Sequence, residues 1–290
     1  MSASKKIIVT GCNGQLGRAI NKIYQNSTEY ECVNTDVAEL DITQIEVVDK
    51  FVSEVKPYAI INCAAHTNVN ACETDVDNAY KINAIGPRNL SIAASRVHAK
   101  LMHISTDYVF DGHASTPYTE FDATAPKTVY GKTKLAGEYF VKEFAKEYFI
   151  VRTAWLYGDG KNFVKTMLGL AKNHDKVTVV GDQFGSPTSA DELAGMIAHL
   201  LPTDNFGVFH GTCEGVTNWA DFTRAFYGLA GISTVVETVT TEEYDKNTTG
   251  IVAPRPAYSV LDNYMLRLTT DYRFADWEKA IADYIKSLSI

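Results

Sequence analysis

Five short apolar runs rich in β-branched residues recur along the first half of the chain, each followed by a longer segment with helical spacing. The runs are KIIVTG (6–11), YECVNTD (30–36), YAIINCAA (58–65), KLMHIST (100–106) and YFIVRTAW (148–155). Between them, GQLGRAINKIYQ, ITQIEVVDKFVSEV, VDNAYKINAIGPRNLSIAASRV and GKTKLAGEYFVKEFAKE place apolar residues at intervals of three and four. A continuously apolar run, unlike an alternating one, belongs to a strand covered on both faces. Such strands alternating with helices predict an α/β fold: a Rossmann-type, doubly wound parallel sheet with helices on each side. Ligands then sit at the carboxyl ends of the strands.

After Tyr157 the character changes. YGDGKN and GDQFGSPTSADE bring glycine, proline and polar turns, and the strict alternation fades. We therefore expect residues 1–157 to form mainly a dinucleotide-binding domain. Residues 158–290 then form mainly a smaller, discontinuous α/β substrate lobe, with segments returning to the first domain. A net charge of −8 argues against a broad grip on nucleic acid, but a local basic groove can still hold one phosphorylated ligand. Five cysteines without a CxxC pair or metal-ligand spacing fit reduced thiols and no metal site. The opening MSASKKIIVTG is too short for a signal peptide or a membrane span, and nothing later approaches spanning length, so a soluble cytoplasmic protein is expected.

Gly11, Gly14 and Gly17 in TGCNGQLGRAI follow the first strand and open the first helix. Glycines there permit a tight turn, a close approach of backbone N–H groups to a pyrophosphate, and helix packing against the sheet. Asn13, Gln15 and Leu16 share that turn and join the cofactor-binding set. Asp36 ends the second strand, about 20 residues on, where an acid accepts hydrogen bonds from an adenosine ribose and favours NAD. Arg18 points the other way, since a guanidinium can hold a 2′-phosphate. Asp41 and Ile42 in LDIT fall beside the adenine edge, although Asp41 or Thr43 equally serves as an N-cap. The small Ala64 and Ala65 let the third strand's end pass close to a flat ligand.

Tyr130 and Lys134 in YGKTK are one helical turn apart and face the same way. A free phenol titrates near ~10, and a neighbouring ammonium, joined by the positive charge of an oxidised nicotinamide, lowers it toward neutrality. Thr106 and Asp107 end the fourth strand on the ligand side, where Thr106 can hydrogen-bond a carbonyl beside the phenol. Thr106, Tyr130 and Lys134 thus suit hydride reduction of a carbonyl, with Tyr130 delivering the proton. The seven histidines form neither an HExxH motif nor a triad-like group.

TGCNGQLGRAI, INCAAHTNVNACE, INAIGPRNL, ISTDYVFDG, YGKTKLAGE, RTAWLYG, DQFGSPT and RPAYSVLD together resemble the extended short-chain dehydrogenase/reductases, within them the dTDP-4-dehydrorhamnose reductase family. The likeness runs from about residue 6 to residue 262. It implies reduction of the C4 ketone of a dTDP-linked 4-ketosugar, dTDP-4-dehydro-6-deoxy-L-mannose, to dTDP-L-rhamnose by NADPH or NADH, in a monomer or homodimer. It also implies that Thr106, Asp107, Tyr130, Trp155 and Arg255 contact the substrate, that Lys134 binds the nicotinamide ribose, and that Asn83 supports the lysine or joins two strands. His66 and Asn70 stand where related sequences often carry a tyrosine and an acid. Ala19 replaces an acid through which some members dimerise on magnesium, so that interface is not expected. The same fold and Tyr-Lys pair also serve epimerases and dehydratases, but dehydratases typically place an Asp-Glu pair after the strand-end threonine, where this chain has Asp107-Tyr108. A reductase-like regulatory subunit without turnover is the remaining alternative.

Overall fold

The computed structural model describes residues 4–246 and 248–288. Its centre is a six-stranded parallel sheet. β1 (Lys5–Thr10), β2 (Tyr30–Thr35), β3 (Ala59–Asn62), β4 (Lys100–Thr106) and β5 (Tyr148–Thr153) lie in the order β2-β1-β3-β4-β5, and the Gly207–His210 strand pairs beyond β5. Because side chains alternate across a strand, neighbouring residues feed opposite faces. Ile7, Val9, Ile61 and Met102 pack on one side with Leu16 and Ile20 of the Gln15–Tyr24 helix. Ile8, Ile60, Leu101 and Ile150 pack on the other with the helices Ile45–Val55, Gly86–Val97 and Val129–Phe144.

β3 is buried throughout, as are the last four residues of β1, in keeping with their continuous apolar runs. β2 differs from that expectation. It is the sheet edge, with Glu31 and Asn34 exposed, because only β1 covers it laterally. The chain leaves β1 for β2 and then returns past β1 to β3, so a crevice opens where the strand order reverses.

Beyond β5, Lys176–Val180 pairs in parallel with Val235–Val239, and Phe184–Gly185 pairs antiparallel with Thr217–Asn218. The apolar cluster beneath the sheet continues into this part through Tyr157, Phe222, Phe226 and Trp277. One core therefore holds the ends of the sheet and the later helices in register. Among the described residues, no helix is long and apolar enough to cross a membrane.

Candidate active site

A cleft of about 690 Å³ runs along the carboxyl ends of the strands, within the size range of small-molecule sites. Its floor begins at the glycine turn. Gly11 has φ +62°, and a Cβ there would lie 2.9 Å from the Ala64 nitrogen; at Gly17 it would lie 2.5 Å from the Gly11 oxygen. The ends of β1 and β3 touch only because those side chains are missing. The Gln15–Tyr24 helix starts at Gly14 without a side-chain cap, so the N–H groups of its first turn face the cleft with the positive end of the helix dipole. The buried Gln15 Oε1 has no hydrogen-bond partner among the described residues. An uncapped helix end and a backbone-lined cradle fit the pyrophosphate of a dinucleotide.

Asp36, Asp41 and Ile42 line the same end, as do Asn13 and Leu16. Asp36 Oδ1 accepts the Val37 N–H at 2.9 Å, which leaves its second oxygen for a ligand. Asp41 Oδ1 accepts from the Thr43 N–H (2.9 Å) and hydroxyl (2.7 Å), closing a turn. The following helix is preceded by Gln44, which makes no side-chain cap bond, so neither Asp41 nor Thr43 is the cap. Arg18 lies outside the cleft lining; its guanidinium donates to the Asn13 carbonyl and to Asp159 Oδ2, both at 2.9 Å. It is thus engaged by the YGDGKN loop rather than beside Asp36.

At the opposite end, Thr106, Asp107, Tyr130 and Lys134 converge with Ala64, Ala65 and Trp155. Thr128 caps the Val129–Phe144 helix by accepting the Gly131 N–H at 3.0 Å, which sets Tyr130 in the first turn. Asp107 is buried; Thr106 Oγ1 donates to its Oδ1 at 2.8 Å, while its Oδ2 has no partner among the described residues. Burial raises this carboxyl to about 6. Tyr130 is half-buried, its open surface facing the cleft, yet desolvation dominates and holds the phenol well above its ordinary value, with a Thr106 hydrogen bond acting in the opposite direction.

Lys134 is buried too, and desolvation lowers it to about 8, opposed by Glu138. Its Nζ donates to the Ile104 carbonyl at 2.6 Å. The influences on the phenol in the protein alone are its burial, a Thr106 hydrogen bond and the neighbouring Asp107, Tyr108 and Cys72; the expected effect of Lys134 joined by an oxidised nicotinamide belongs to the cofactor complex.

Trp155 stacks on Trp219, with ring centroids 3.5 Å apart and planes 8° from parallel. Arg255 lines a smaller cavity that shares Tyr108 with the main cleft. It donates to the Tyr108 hydroxyl at 2.9 Å and to Asn70 Oδ1 at 3.1 Å. Tyr108 in turn meets the Tyr130 ring edge-on at 5.4 Å. Asn83 exchanges hydrogen bonds with the His66 backbone and donates to Thr133 Oγ1, pinning the β3 loop to the Tyr130 helix.

Sequence reasoning missed the support behind the lysine. Glu138 accepts a two-pronged ion pair from Arg152 (2.9 and 2.7 Å) and the Ser105 hydroxyl at 2.6 Å, all buried. Its signal was present, since Tyr130, Lys134 and Glu138 repeat at intervals of four. Gly160 and Lys161 also line the cleft, brought there by a loop for which no spacing rule exists.

Residues 5–290 match the family model described as the RmlD substrate binding domain. The chain belongs to this family. It is 38% identical to the dTDP-4-dehydrorhamnose reductase of Aggregatibacter actinomycetemcomitans, over 95% of this chain and 97% of the relative. Among solved structures, a dTDP-4-dehydrorhamnose reductase from Clostridium acetobutylicum shares 51% identity at a TM-score of 0.94, covering 98% of this chain and all of that one. The Bacillus anthracis enzyme, solved in complex with NADP, shares 42% at 0.93, over 98% and 99% of the two chains. The RmlD family has the Rossmann-type fold expected from the strand pattern.

Proposed function

We propose that this chain is a dTDP-4-dehydrorhamnose reductase, reducing the C4 ketone of dTDP-4-dehydro-6-deoxy-L-mannose to dTDP-L-rhamnose in the cytoplasm with NADPH or NADH. One observation carries the reading. A protonated phenol, a strand-end hydroxyl and a buried ammonium share a single cleft with a dinucleotide cradle. The relatives named for this activity span nearly the whole chain and support it.

The reduced nicotinamide, when bound, supplies the hydride. Thr106 and Tyr130 hydrogen-bond the ketone oxygen, whose charge grows as its carbon is reduced, and the Tyr130 hydroxyl transfers its proton there. Burial serves this direction of reaction, because a phenol held above its ordinary range stays protonated until a strong base forms beside it. Lys134, anchored on the Ile104 carbonyl, binds the nicotinamide ribose and repays the phenolate with positive charge once the proton has left. Asp107 lines the cleft beside Thr106, with one oxygen left without a partner among the described residues, and is the carboxylate available to the sugar's hydroxyl groups. Trp155 forms the sugar's apolar wall, in a functional unit that is a monomer or homodimer.

The test is oxidation of NADH and NADPH in the presence of enzymatically prepared dTDP-4-ketosugar, with the product identified by NMR as dTDP-L-rhamnose. No oxidation of either cofactor, by protein that binds both substrates, overturns the proposal.

A further inference from the structure

Trp155 has φ +49°, a left-handed conformation disfavoured for a bulky side chain. The other two described non-glycine residues with positive φ, Lys56 and His98, end helices, where that conformation is common. Trp155 ends no helix, so the fold around it must impose the geometry.

Two residues from the later part of the chain grip its ring. Trp219 stacks flat upon it and is itself backed by Phe163, whose centroid lies 4.4 Å away. Gly185 lies so near that a Cβ there would sit 2.5 Å from Trp155 Cε2. Both come from one ribbon: Gly185 pairs with Thr217, and Asn218 pairs with Phe184 and caps the helix that Trp219 begins. The Phe184 carbonyl accepts the Ser259 N–H at 2.8 Å and the Ser259 hydroxyl at 3.4 Å. Trp219 and Gly185 themselves are not in the cleft wall, so whatever they do there passes through Trp155.

We infer that Trp219 and Gly185 are positioning residues for sugar recognition, holding the Trp155 indole at the angle that the ketosugar meets. The inference rests on the reductase reading above. The smallness of residue 185 is then a requirement of substrate affinity, and the aromatic at 219 sets the plane of the wall.

The experiment compares Trp155→Phe, Trp219→Phe, their double variant and Gly185→Ala in the full chain, measuring kcat, the ketosugar KM and the NADH Kd. Exciton-coupled circular dichroism reports the stacked indoles directly, because the only other tryptophan, Trp277, lies in the core. Trp219→Phe is expected to raise the ketosugar KM by about threefold to tenfold, as shrinking the stacked aromatic pair allows. Its NADH Kd stays within about twofold, the couplet disappears, and the double variant loses no more than Trp155→Phe alone. Gly185→Ala keeps both indoles, changes the couplet and raises the same KM.

An unchanged KM in both Trp219→Phe and Gly185→Ala, with the couplet lost or altered, overturns the inference. So do additive losses in the double variant, or losses of NADH affinity equal to those for the sugar. A wild-type protein that oxidises no NAD(P)H at all instead defeats the reductase reading on which the inference stands. A variant that fails to fold is replaced by Trp219→Tyr, which shrinks the stacked face as Trp219→Phe does and is expected to raise the ketosugar KM likewise.

Discussion

The two ends of the cleft are built on opposite electrostatic terms. At the glycine-turn end, Asp36 and Asp41 are half-exposed, and one oxygen of each already bonds a neighbouring backbone N–H. Charge there is solvated and selects ligands by sign and hydrogen-bond pattern. At the reacting end, Thr106, Asp107 and Lys134 are buried, and desolvation pushes each ionisable group toward its neutral form. Selection by charge needs water close by, whereas proton transfer needs water kept out. One cleft meets both demands by running from the sheet's exposed edge, beside β2, to its buried middle, above β4 and β5.

The sharpest division between the ends comes from Tyr130→Phe. Turnover is expected to fall by about 10² to 10⁴, the range for removing a general acid, while the NADH Kd measured by fluorescence titration stays within about twofold. A comparable loss of cofactor affinity would mean that the two ends are not separable.

Titration gives the next largest effect. Asp107 titrates near 6 and Lys134 near 8, so between those values the reacting end holds an anion and a cation together. If the sugar hydroxyls bond the Asp107 carboxylate and the transition state uses the charged lysine, kcat/KM is bell-shaped with flanks near 6 and 8. Asp107→Asn is expected to remove the acid flank and leave the alkaline one. The linked stability runs the other way. Because the carboxyl is raised, its folded-state cost is absent below the unfolded value and complete above about 6; because the lysine is lowered, its cost is complete below about 8 and relieved toward 10.5. Thermal unfolding of the ligand-free protein should therefore show these groups' least favourable contribution across the window where activity is greatest. A ligand-free Tm contribution from Asp107 that rises between pH 4 and 6, read as wild type minus Asp107→Asn, would contradict the burial argument.

How much of this was legible in the sequence follows from how local each signal is. The β-α alternation, the glycine turn and the Tyr130–Lys134 spacing all act within about 20 residues, and periodicity shows them. The edge position of β2 was not legible, because YECVNT becomes half-exposed through strand order rather than through its own residues. The partners of Arg255 were not legible for the same kind of reason: Tyr108 and Asn70, which its guanidinium meets, are distant from it in sequence. The phenol's upward shift follows burial, a property of the assembled cleft that the spacing in YGKTK does not show. Trp219 gave no sign of a partnership with Trp155, since a lone tryptophan at a helix start carries no address.

The smallest expected effect lies at the solvated end and concerns the choice of cofactor. The adenosine side of the cleft presents Asp36 and Asp41, Lys161 lies across from them on the loop that meets Gln15, and Arg18 is held by Asp159 in an exposed ion pair. A 2′-phosphate would bring two negative charges toward these carboxylates, whereas the 2′-hydroxyl of NADH can donate to the free oxygen of Asp36. Solvent screening limits the contrast, because charges a few ångströms apart in water interact by only about 1 kcal/mol, and less once salt screens them. Wild type is therefore expected to favour NADH over NADPH in kcat/KM by about tenfold or less, and Asp36→Asn to shrink that ratio by about threefold to fivefold. The shift should lie in cofactor KM, with kcat nearly constant, and should fade as salt is raised. A ratio unmoved by Asp36→Asn at low salt would show that this end selects by shape, and the contrast between a charge-selecting end and a desolvating end would be lost.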